Sequence, residues 1–167
     1  MCTLYVMRHC KSRWDEPEAN DHERGLTGRG KRDARLLGRA LAERAAPPDL
    51  IVSSTARRAR ATARRVARAW GYEEEIRQEE TIYEGGPLQC LGVLRGLPDG
   101  VASVLLVGHN PTLENLLWTL GLPRLPLATG ETVCLALALD RWGDLSLATE
   151  AQERFRLEPR ALRAPGE

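Results

Sequence analysis

The sequence has few of the features that mark extracellular, metal-binding or membrane-embedded proteins. None of its four cysteines forms a C-x-x-C pair or lies near a pair of histidines, which argues against a structural zinc site. No apolar stretch approaches the length of a membrane span. The opening apolar run is too short for the core of a secretory signal and passes directly into charged residues. We therefore expect a cytoplasmic protein without a membrane partner.

The net charge is also close to zero, and the sequence contains few lysines. The formal net charge is +1 at pH 7, so no overall field indicates binding to nucleic acid or to a membrane surface. Lys11 and Lys31 are the only lysines, and every other cationic side chain is an arginine. We expect no nucleic-acid partner.

Short apolar runs that alternate with amphipathic segments predict the fold class. The runs are bounded by turn formers, as buried strands are. The segments between them repeat apolar residues at helical spacing and begin with cap residues such as Thr27. Strands are predicted at Thr3–Met7, Asp49–Ser53, Glu75–Ile82 and Ala102–Val107, and helices after Thr27, over Ala56–Trp70, from Pro87 and from Pro111.

This alternation predicts an α/β protein, a three-layer α/β/α arrangement with a mostly parallel central sheet. Residues 131–139 alternate and could pair with Leu145–Thr149 as a hairpin, which predicts an antiparallel edge strand. The length fits a single domain, residues 1–167, and the stretch from about residue 151 is an extension of uncertain order. The polar stretch over residues 11–25 is too long for a plain connection and is a candidate active-site loop.

Two of the three histidines follow predicted strands. His9 comes after the first strand, next to Arg8, and His109 comes after the strand that ends near Val107. In open α/β sheets, ligands bind in the crevice beyond the carboxyl ends of the strands. His109 also precedes a helix start, where free backbone N–H groups favour an anion. Two imidazoles beside a guanidinium predict an anion site, and phosphate is the expected anion.

The helix over Ala56–Trp70 offers one more cation. At 100° per residue its apolar stripe faces away from most of its arginines, which are expected to form a solvated face. Arg58 lies about 100° from Arg57 and flanks the buried side, so we predict that Arg58 points towards the phosphate. The arginines of the predicted solvated face are Arg57, Arg60, Arg64 and Arg68.

Histidine at such a site can act as a nucleophile towards phosphorus. A neutral imidazole is available at pH 7, because its ordinary pKa is about 6.5. A neighbouring cation such as Arg8 lowers that pKa and keeps the ring of His9 neutral.

Three motifs, taken together and in this order, resemble the signature of the histidine phosphatase superfamily, which includes phosphoglycerate mutases and small acid phosphatases. The motifs are Arg8-His9, the segment from Ser53 to Thr62 with Arg58, and Gly108-His109-Asn110. The resemblance runs from Thr3 to about Thr149. Trp14 and the segment from Asp21 to Gly30 are similar to the small phosphohistidine phosphatase branch, which lacks the large cap insertions of the mutases.

This resemblance implies a metal-independent phosphatase that hydrolyses phosphohistidine or small phosphomonoesters. It implies that His9 is the phosphorylated nucleophile, that Arg8, Arg58 and His109 bind the phosphoryl oxygens, and that no metal or organic cofactor takes part. Ser12 follows the nucleophile closely enough to line the phosphate pocket. By approximate alignment, Glu84 is the candidate general acid for an oxygen leaving group.

The sequence leaves alternatives open for the role of Cys10 and for the function. Position 10 usually carries Gly or Ala, and Cys10 is either a small space filler or, with a low-pKa thiol, a site of oxidation. Phosphoryl transfer like that of phosphoglycerate mutase is one alternative function. A non-catalytic phosphate or nucleic-acid binding module is another, although the arginine-bearing helix has no interleaved aromatic residues for stacking. The expected partner is a phosphorylated protein or a small phosphorylated molecule, and the sequence does not indicate the oligomeric state.

Overall fold

A computed structural model describes residues 1–16 and 20–166, and in that part of the chain six strands form one sheet. The strand order is β3-β2-β4-β1-β5-β6, in which β3, β2, β4 and β1 are parallel to one another and β5 is antiparallel to both β1 and β6. The strands are β1 (Cys2–Arg8), β2 (Leu50–Ser54), β3 (Arg77–Glu79), β4 (Ser103–Gly108), β5 (Thr132–Leu137) and β6 (Ala151–Leu157).

Helices connect the parallel strands. Thr27 caps the first helix as predicted, because its Oγ1 accepts a hydrogen bond of 3.0 Å from the Gly30 amide. The second helix ends at Gly71, whose φ of 84° suits a residue without a Cβ. The helices are α1 (Gly28–Ala42), α2 (Arg57–Trp70), α3 (Glu80–Glu84), α4 (Pro87–Arg95), α5 (Thr112–Thr119) and α6 (Pro159–Leu162). None of the helices within the described ranges is long and apolar enough to cross a membrane.

The sheet has a hydrophobic core on each face. Because side chains alternate along a strand, Leu4 and Val6 of β1 enter one core, whereas Tyr5 and Met7 enter the other. Helices α4 and α5 cover the first core, and α1 and α2 cover the second. This is the predicted three-layer α/β/α fold with a mostly parallel sheet, and that prediction is confirmed.

The predicted partner of β5 is wrong. Residues 145–149 do not form a strand, and β5 pairs instead with β6, which begins at Ala151. Trp142 is fully buried and its indole Nε1 donates to the Val101 carbonyl at 2.8 Å, so the chain dips into the core before it reaches the sheet edge. The β6 sequence, AQERFRL, is mostly polar, as suits an edge strand, and shows no period that marks it.

The approach of α1 to the end of β1 depends on a glycine. A Cβ at Gly30 would overlap the carbonyl oxygen of Lys11. The amide of Thr27 donates to that same oxygen at 2.9 Å. The first turn of α1 therefore holds the chain just after His9 in place. The predicted loop over 11–25 includes residues 17–19, which lie outside the described residues, and it contains a short 3-10 helix, Asp21–Glu23.

Candidate active site

The carboxyl ends of β1 and β4 bring the two histidines together. These strands are adjacent and parallel, and Arg8 pairs in register with Gly108. The next residue of each strand is a histidine, and the ring centroids of His9 and His109 lie 5.2 Å apart. The expected convergence at this edge of the sheet is therefore present.

A cavity of about 500 Å³ opens at this edge. All five residues predicted to bind phosphate or attack it line the cavity, whereas Glu84, the predicted general acid, does not. The lining residues are Arg8, His9, Lys11, Ser12, Trp14, Asp21, Arg24, Arg58, Tyr83, His109, Asn110 and Thr129. In the described part of the chain, no group of three or more His, Cys, Asp or Glu side chains is arranged to hold a metal ion.

His9 is held in one orientation by its backbone neighbour. Its Nδ1 lies 2.8 Å from the carbonyl oxygen of Cys10, which can only accept a hydrogen bond, so Nδ1 carries the proton. Nε2 then has the free lone pair. Burial, together with Arg58 and Arg8, lowers the pKa of His9 to about 4, although the bond to Cys10 opposes the shift. The ring is neutral at pH 7.

Arg58 occupies the position that the helical wheel predicts. Its side chain is buried, whereas Arg57 on the same turn is exposed. The guanidinium Nε donates to Nε2 of His9 at 3.3 Å, and the two terminal nitrogens donate to the backbone oxygen and the carboxylate of Asp21 at 2.7 and 3.1 Å. Each nitrogen of this guanidinium therefore has one hydrogen-bond partner, and the partner of Nε is the lone pair on Nε2 of His9.

His109 contacts the end of the neighbouring strand β2. Its Nε2 lies 2.7 Å from Oγ of Ser54, which in turn accepts a hydrogen bond from the amide of Ala56. Burial, with His9 and Arg58 nearby, lowers the pKa of His109 to about 3. Its Nδ1 is buried and has no hydrogen-bond partner among the described residues.

Arg8 is positioned through a network on the other side of the cavity. Its Nη1 donates to the Leu127 carbonyl at 3.0 Å, and its buried Nε has no partner among the residues described. The same carbonyl accepts from the side-chain amide of Asn110 at 2.8 Å. The Glu114 carboxylate accepts from that amide and from the Leu127 backbone, at 2.8 and 2.9 Å. Glu114 thus fixes the carbonyl that holds Arg8.

Comparison with known proteins identifies the family to which this chain belongs. The model of the histidine phosphatase superfamily (branch 1) matches residues 4–99, more than half of the chain. The chain belongs to this superfamily. Among curated proteins, an uncharacterized protein of Mycobacterium tuberculosis is 36% identical over 110 residues, and one of Mycobacterium leprae is 33% identical over 111 residues. The matched region covers 66% and 65% of this chain respectively, and 66% of the length of each relative.

Solved structures of superfamily members place the chain in the small SixA-like branch. A protein assigned as the phosphohistidine phosphatase SixA of Agrobacterium tumefaciens is 30% identical, with a TM-score of 0.77, over 95% of this chain and 99% of that one. Its counterpart from Nakamurella multipartitia is 27% identical, with a TM-score of 0.80, over 95% and 96%. The fold is also that of the protein histidine phosphatase SixA complexed with tungstate, at a TM-score of 0.83 and 23% identity, over 96% and 99%.

Glu84 is not brought to the cavity of this superfamily member. Its side chain is exposed and is not among the lining residues, whereas the adjacent Tyr83 is. Both lie in α3, where successive side chains point about 100° apart, so only one of two neighbours can face the cavity. The Tyr83 hydroxyl donates to Asp21 at 2.8 Å, and its ring lies edge-on to His109 at 5.6 Å.

The loop after β1 contributes two charged residues that the sequence reasoning did not assign to the site. Arg24 is buried, donates to Ser12 Oγ at 2.8 Å and stacks on the ring of Trp14. Asp21 accepts hydrogen bonds from Tyr83, Arg24 and Arg58, which lower its pKa to about 2 against the opposing effect of burial. The cavity therefore contains a carboxylate that is ionised at neutral pH.

Two further residues, Cys10 and His22, are held by contacts with neighbouring residues. Cys10 is fully buried, its amide donates to Thr62 Oγ1 at 3.0 Å, and burial raises the pKa of its thiol to about 12. This environment favours the space-filling interpretation. His22, the third histidine, lies outside the cavity lining, with Nε2 at 3.0 Å from Thr55 Oγ1 and its ring against Tyr83.

Proposed function

We propose that this protein is a phosphatase that hydrolyses phosphohistidine, or a small phosphomonoester, through a covalent phosphohistidine on His9. The observation that carries the proposal is the hydrogen bond between His9 Nδ1 and the Cys10 carbonyl. It leaves the Nε2 lone pair directed at the cavity, as a nitrogen nucleophile requires. The depressed pKa keeps that lone pair free of a proton at neutral pH.

In the proposed first step, Nε2 of His9 forms a bond to phosphorus while the bond to the leaving group breaks. The guanidinium of Arg58 turns from Nε2 to a phosphoryl oxygen as the lone pair is used. Arg8 has an unpaired buried Nε and His109 an unpaired buried Nδ1 among the described residues, and both line the cavity. If Ser54 donates its hydroxyl proton to His109 Nε2, Nδ1–H becomes a donor for a second oxygen. Fixed donors of this kind stabilise the charge of the transferring group.

In the second step, water attacks the phosphohistidine, the P–N bond breaks, and phosphate leaves with His9 regenerated. No residue in this sequence of steps is a metal ligand, and we propose that the reaction is metal-independent. The substrate is then a phosphorylated protein or a small phosphorylated molecule.

The leaving group decides the substrate class. An alkyl oxygen needs a proton from a general acid, but the carboxylate at the cavity, Asp21, is ionised well below neutral pH. Glu84 is exposed and outside the lining. The imidazole of a phosphohistidine leaves as a nitrogen base and can take its proton from water. We therefore place phosphohistidine ahead of alkyl phosphates as the substrate.

The test compares two histidines. Wild-type protein with a chelator present should hydrolyse a phosphohistidine peptide and p-nitrophenyl phosphate, and His9→Asn should lose both activities. His22→Asn is the matched control, because His22 lies nearby but outside the lining, and it should retain activity within about twofold.

The intermediate supplies an independent check. Rapid quenching with labelled substrate should trap an acid-labile, base-stable phosphoryl group on the peptide that contains His9. Turnover that persists in His9→Asn, or label on another residue, would contradict the nucleophile. Return of label to an added hydroxy acid instead of water would favour the mutase alternative.

A further inference from the structure

Although the net charge is near zero, positive and negative side chains are distributed unevenly between helices α1 and α2 and the rest of the chain. Helices α1 and α2 carry eleven of the 24 Lys and Arg residues and only one of the 23 Asp and Glu residues. The rest of the chain is therefore net negative. Both helices lie on the same face of the sheet, so their cations share one side of the molecule.

The exposed side of these helices forms an arginine cleft. A depression of about 470 Å³ is lined by Arg35, Arg39, Arg64, Arg65, Arg68 and Ala69. A second depression of about 360 Å³ shares Arg35 and Arg39 with it and adds Arg29, Arg32 and Leu36, among others. The one carboxylate there, Asp33, is buried and accepts from Arg163 at 2.6 and 2.9 Å.

Small residues bring the two rows of arginines close together. A Cβ at Gly38 would lie 2.6 Å from the Cβ of Ala69, so α1 and α2 pack at an unusually short separation there. Like charges that line one depression repel one another, and an anion between them relieves that repulsion. The Nε of Arg65 is buried and has no hydrogen-bond partner within the described ranges.

The spacing of the arginines indicates the form of the anion. Arg35 and Arg39 are four residues apart on α1, and Arg64 and Arg68 are four apart on α2. Residues at this spacing lie about 5–6 Å apart along a helix, which is the repeat that carboxylates at i and i+4 present on another helix. A third helix can lie in the groove between two packed helices, with its apolar side on Ala69 and Leu36.

Other polyanions fit the cleft less well. An anionic membrane would need large, fully exposed apolar side chains beside the cations, and α1 and α2 offer only the half-buried Leu36. Single-stranded nucleic acid would need stacking platforms, and the one aromatic residue of these helices, Trp70, is buried. We propose that the α1–α2 arginine cleft binds an acidic helix of a partner protein. This docking surface is independent of the reaction assigned to His9.

The experiment uses the full chain and a fluorescein-labelled peptide of about 20 residues, long enough to be helical, with glutamates at i and i+4 among alanines. Anisotropy titrations compare wild type with Arg35→Gln/Arg39→Gln/Arg64→Gln/Arg68→Gln, since glutamine keeps helix propensity. The matched control is Arg95→Gln/Arg124→Gln/Arg141→Gln/Arg154→Gln, which removes the same charge from exposed positions elsewhere. Circular dichroism checks that both variants remain folded.

We expect the cleft variant to weaken peptide binding by at least about tenfold, and the control to weaken it by less than about threefold, because exposed charge pairs act locally at moderate salt. A peptide with glutamine in place of glutamate should not bind to the wild type. Equal losses in the two variants would reduce the effect to net charge and overturn the proposal. Tighter binding of a DNA duplex than of the peptide, at the same ionic strength, would also overturn it in favour of nucleic acid.

Discussion

Arg58 donates its guanidinium Nε–H to Nε2 of His9 at 3.3 Å, so the only arginine buried at the start of α2 is bonded to the nitrogen that we propose attacks phosphorus. The other two guanidinium nitrogens are bonded to Asp21. This arrangement joins His9, Arg58 and Asp21 in one series of hydrogen bonds, so the contribution of each residue can be measured by substitution.

The first prediction concerns the geometry of Arg58. Arg58→Lys keeps the charge, but one ammonium cannot reach His9 and Asp21 in the directions of the planar fork. We expect kcat/KM to fall by about 10- to 100-fold, the value of one or two charge-assisted hydrogen bonds. Arg57→Lys, on the exposed side of the same helix turn, should leave steady-state kinetics unchanged. Equal effects of the two substitutions on kcat/KM would contradict a role for Arg58 in the reaction.

The second prediction concerns competition for that guanidinium. The Asp21 carboxylate accepts from one terminal nitrogen of Arg58 and from Arg24, as a phosphoryl group would, while the Asp21 backbone oxygen accepts from the other terminal nitrogen of Arg58. Asp21→Asn should therefore lower the inhibition constant of inorganic phosphate, by about threefold or more for one lost charge. Asp15→Asn, in an exposed ion pair with Arg13, is the control. Weaker phosphate inhibition in Asp21→Asn would mean that the carboxylate mainly orients the arginines.

The third prediction concerns pH. The pKa of His9 is lowered to about 4, so its imidazole stays neutral well below the ordinary imidazole pKa of about 6.5. We expect kcat/KM, corrected for substrate ionisation, to stay level from about pH 8 to pH 5.5 and to fall only as the pH approaches 4. A half-maximal rate near pH 6.5 would show that the ring titrates normally.

The fourth prediction separates two glutamates. Glu114→Gln weakens the contacts that fix the Leu127 carbonyl and hence Arg8. We expect KM to rise by about three- to tenfold with kcat nearly unchanged, because Glu114 is a positioning residue for ground-state phosphate binding. Glu84→Gln should change neither constant with an alkyl phosphate or with phosphohistidine. A selective loss with the alkyl phosphate would restore Glu84 as the general acid.

The fifth prediction concerns oxidation. Burial raises the pKa of the Cys10 thiol to about 12, and thiolate is the reactive form. Folded protein should therefore keep its activity in peroxide concentrations that oxidise exposed thiols, and Cys10→Ala should behave identically. Inactivation of the wild type alone would show that the thiol becomes accessible in solution.

Strand ends and helical wheels predicted much of the site because they depend on regular geometry. His9 and His109 follow parallel strands, whose carboxyl ends meet at one edge of the sheet, and a rotation of about 100° around the helix separates the buried Arg58 from the adjacent, exposed Arg57. These positions follow from periods of two and 3.6 residues.

Irregular segments did not allow the same reasoning. Asp21 and Arg24 lie in a loop, where spacing along the chain does not predict direction in space. Glu84 lies outside the cavity lining and Tyr83 within it, because a single residue changes the direction of a helical side chain by about 100°. The polar edge strand β6 has no apolar alternation to reveal it.

The lack of a side chain at Gly30 limits which amino-acid substitutions the protein can tolerate. Even alanine there would collide with the Lys11 carbonyl and push the chain that follows His9, although Gly30 does not line the cavity. A mutational scan should therefore find the buried position 30 as intolerant of substitution as positions 9 and 109, and engineering of the pocket rim will have to start from residues on the opposite wall.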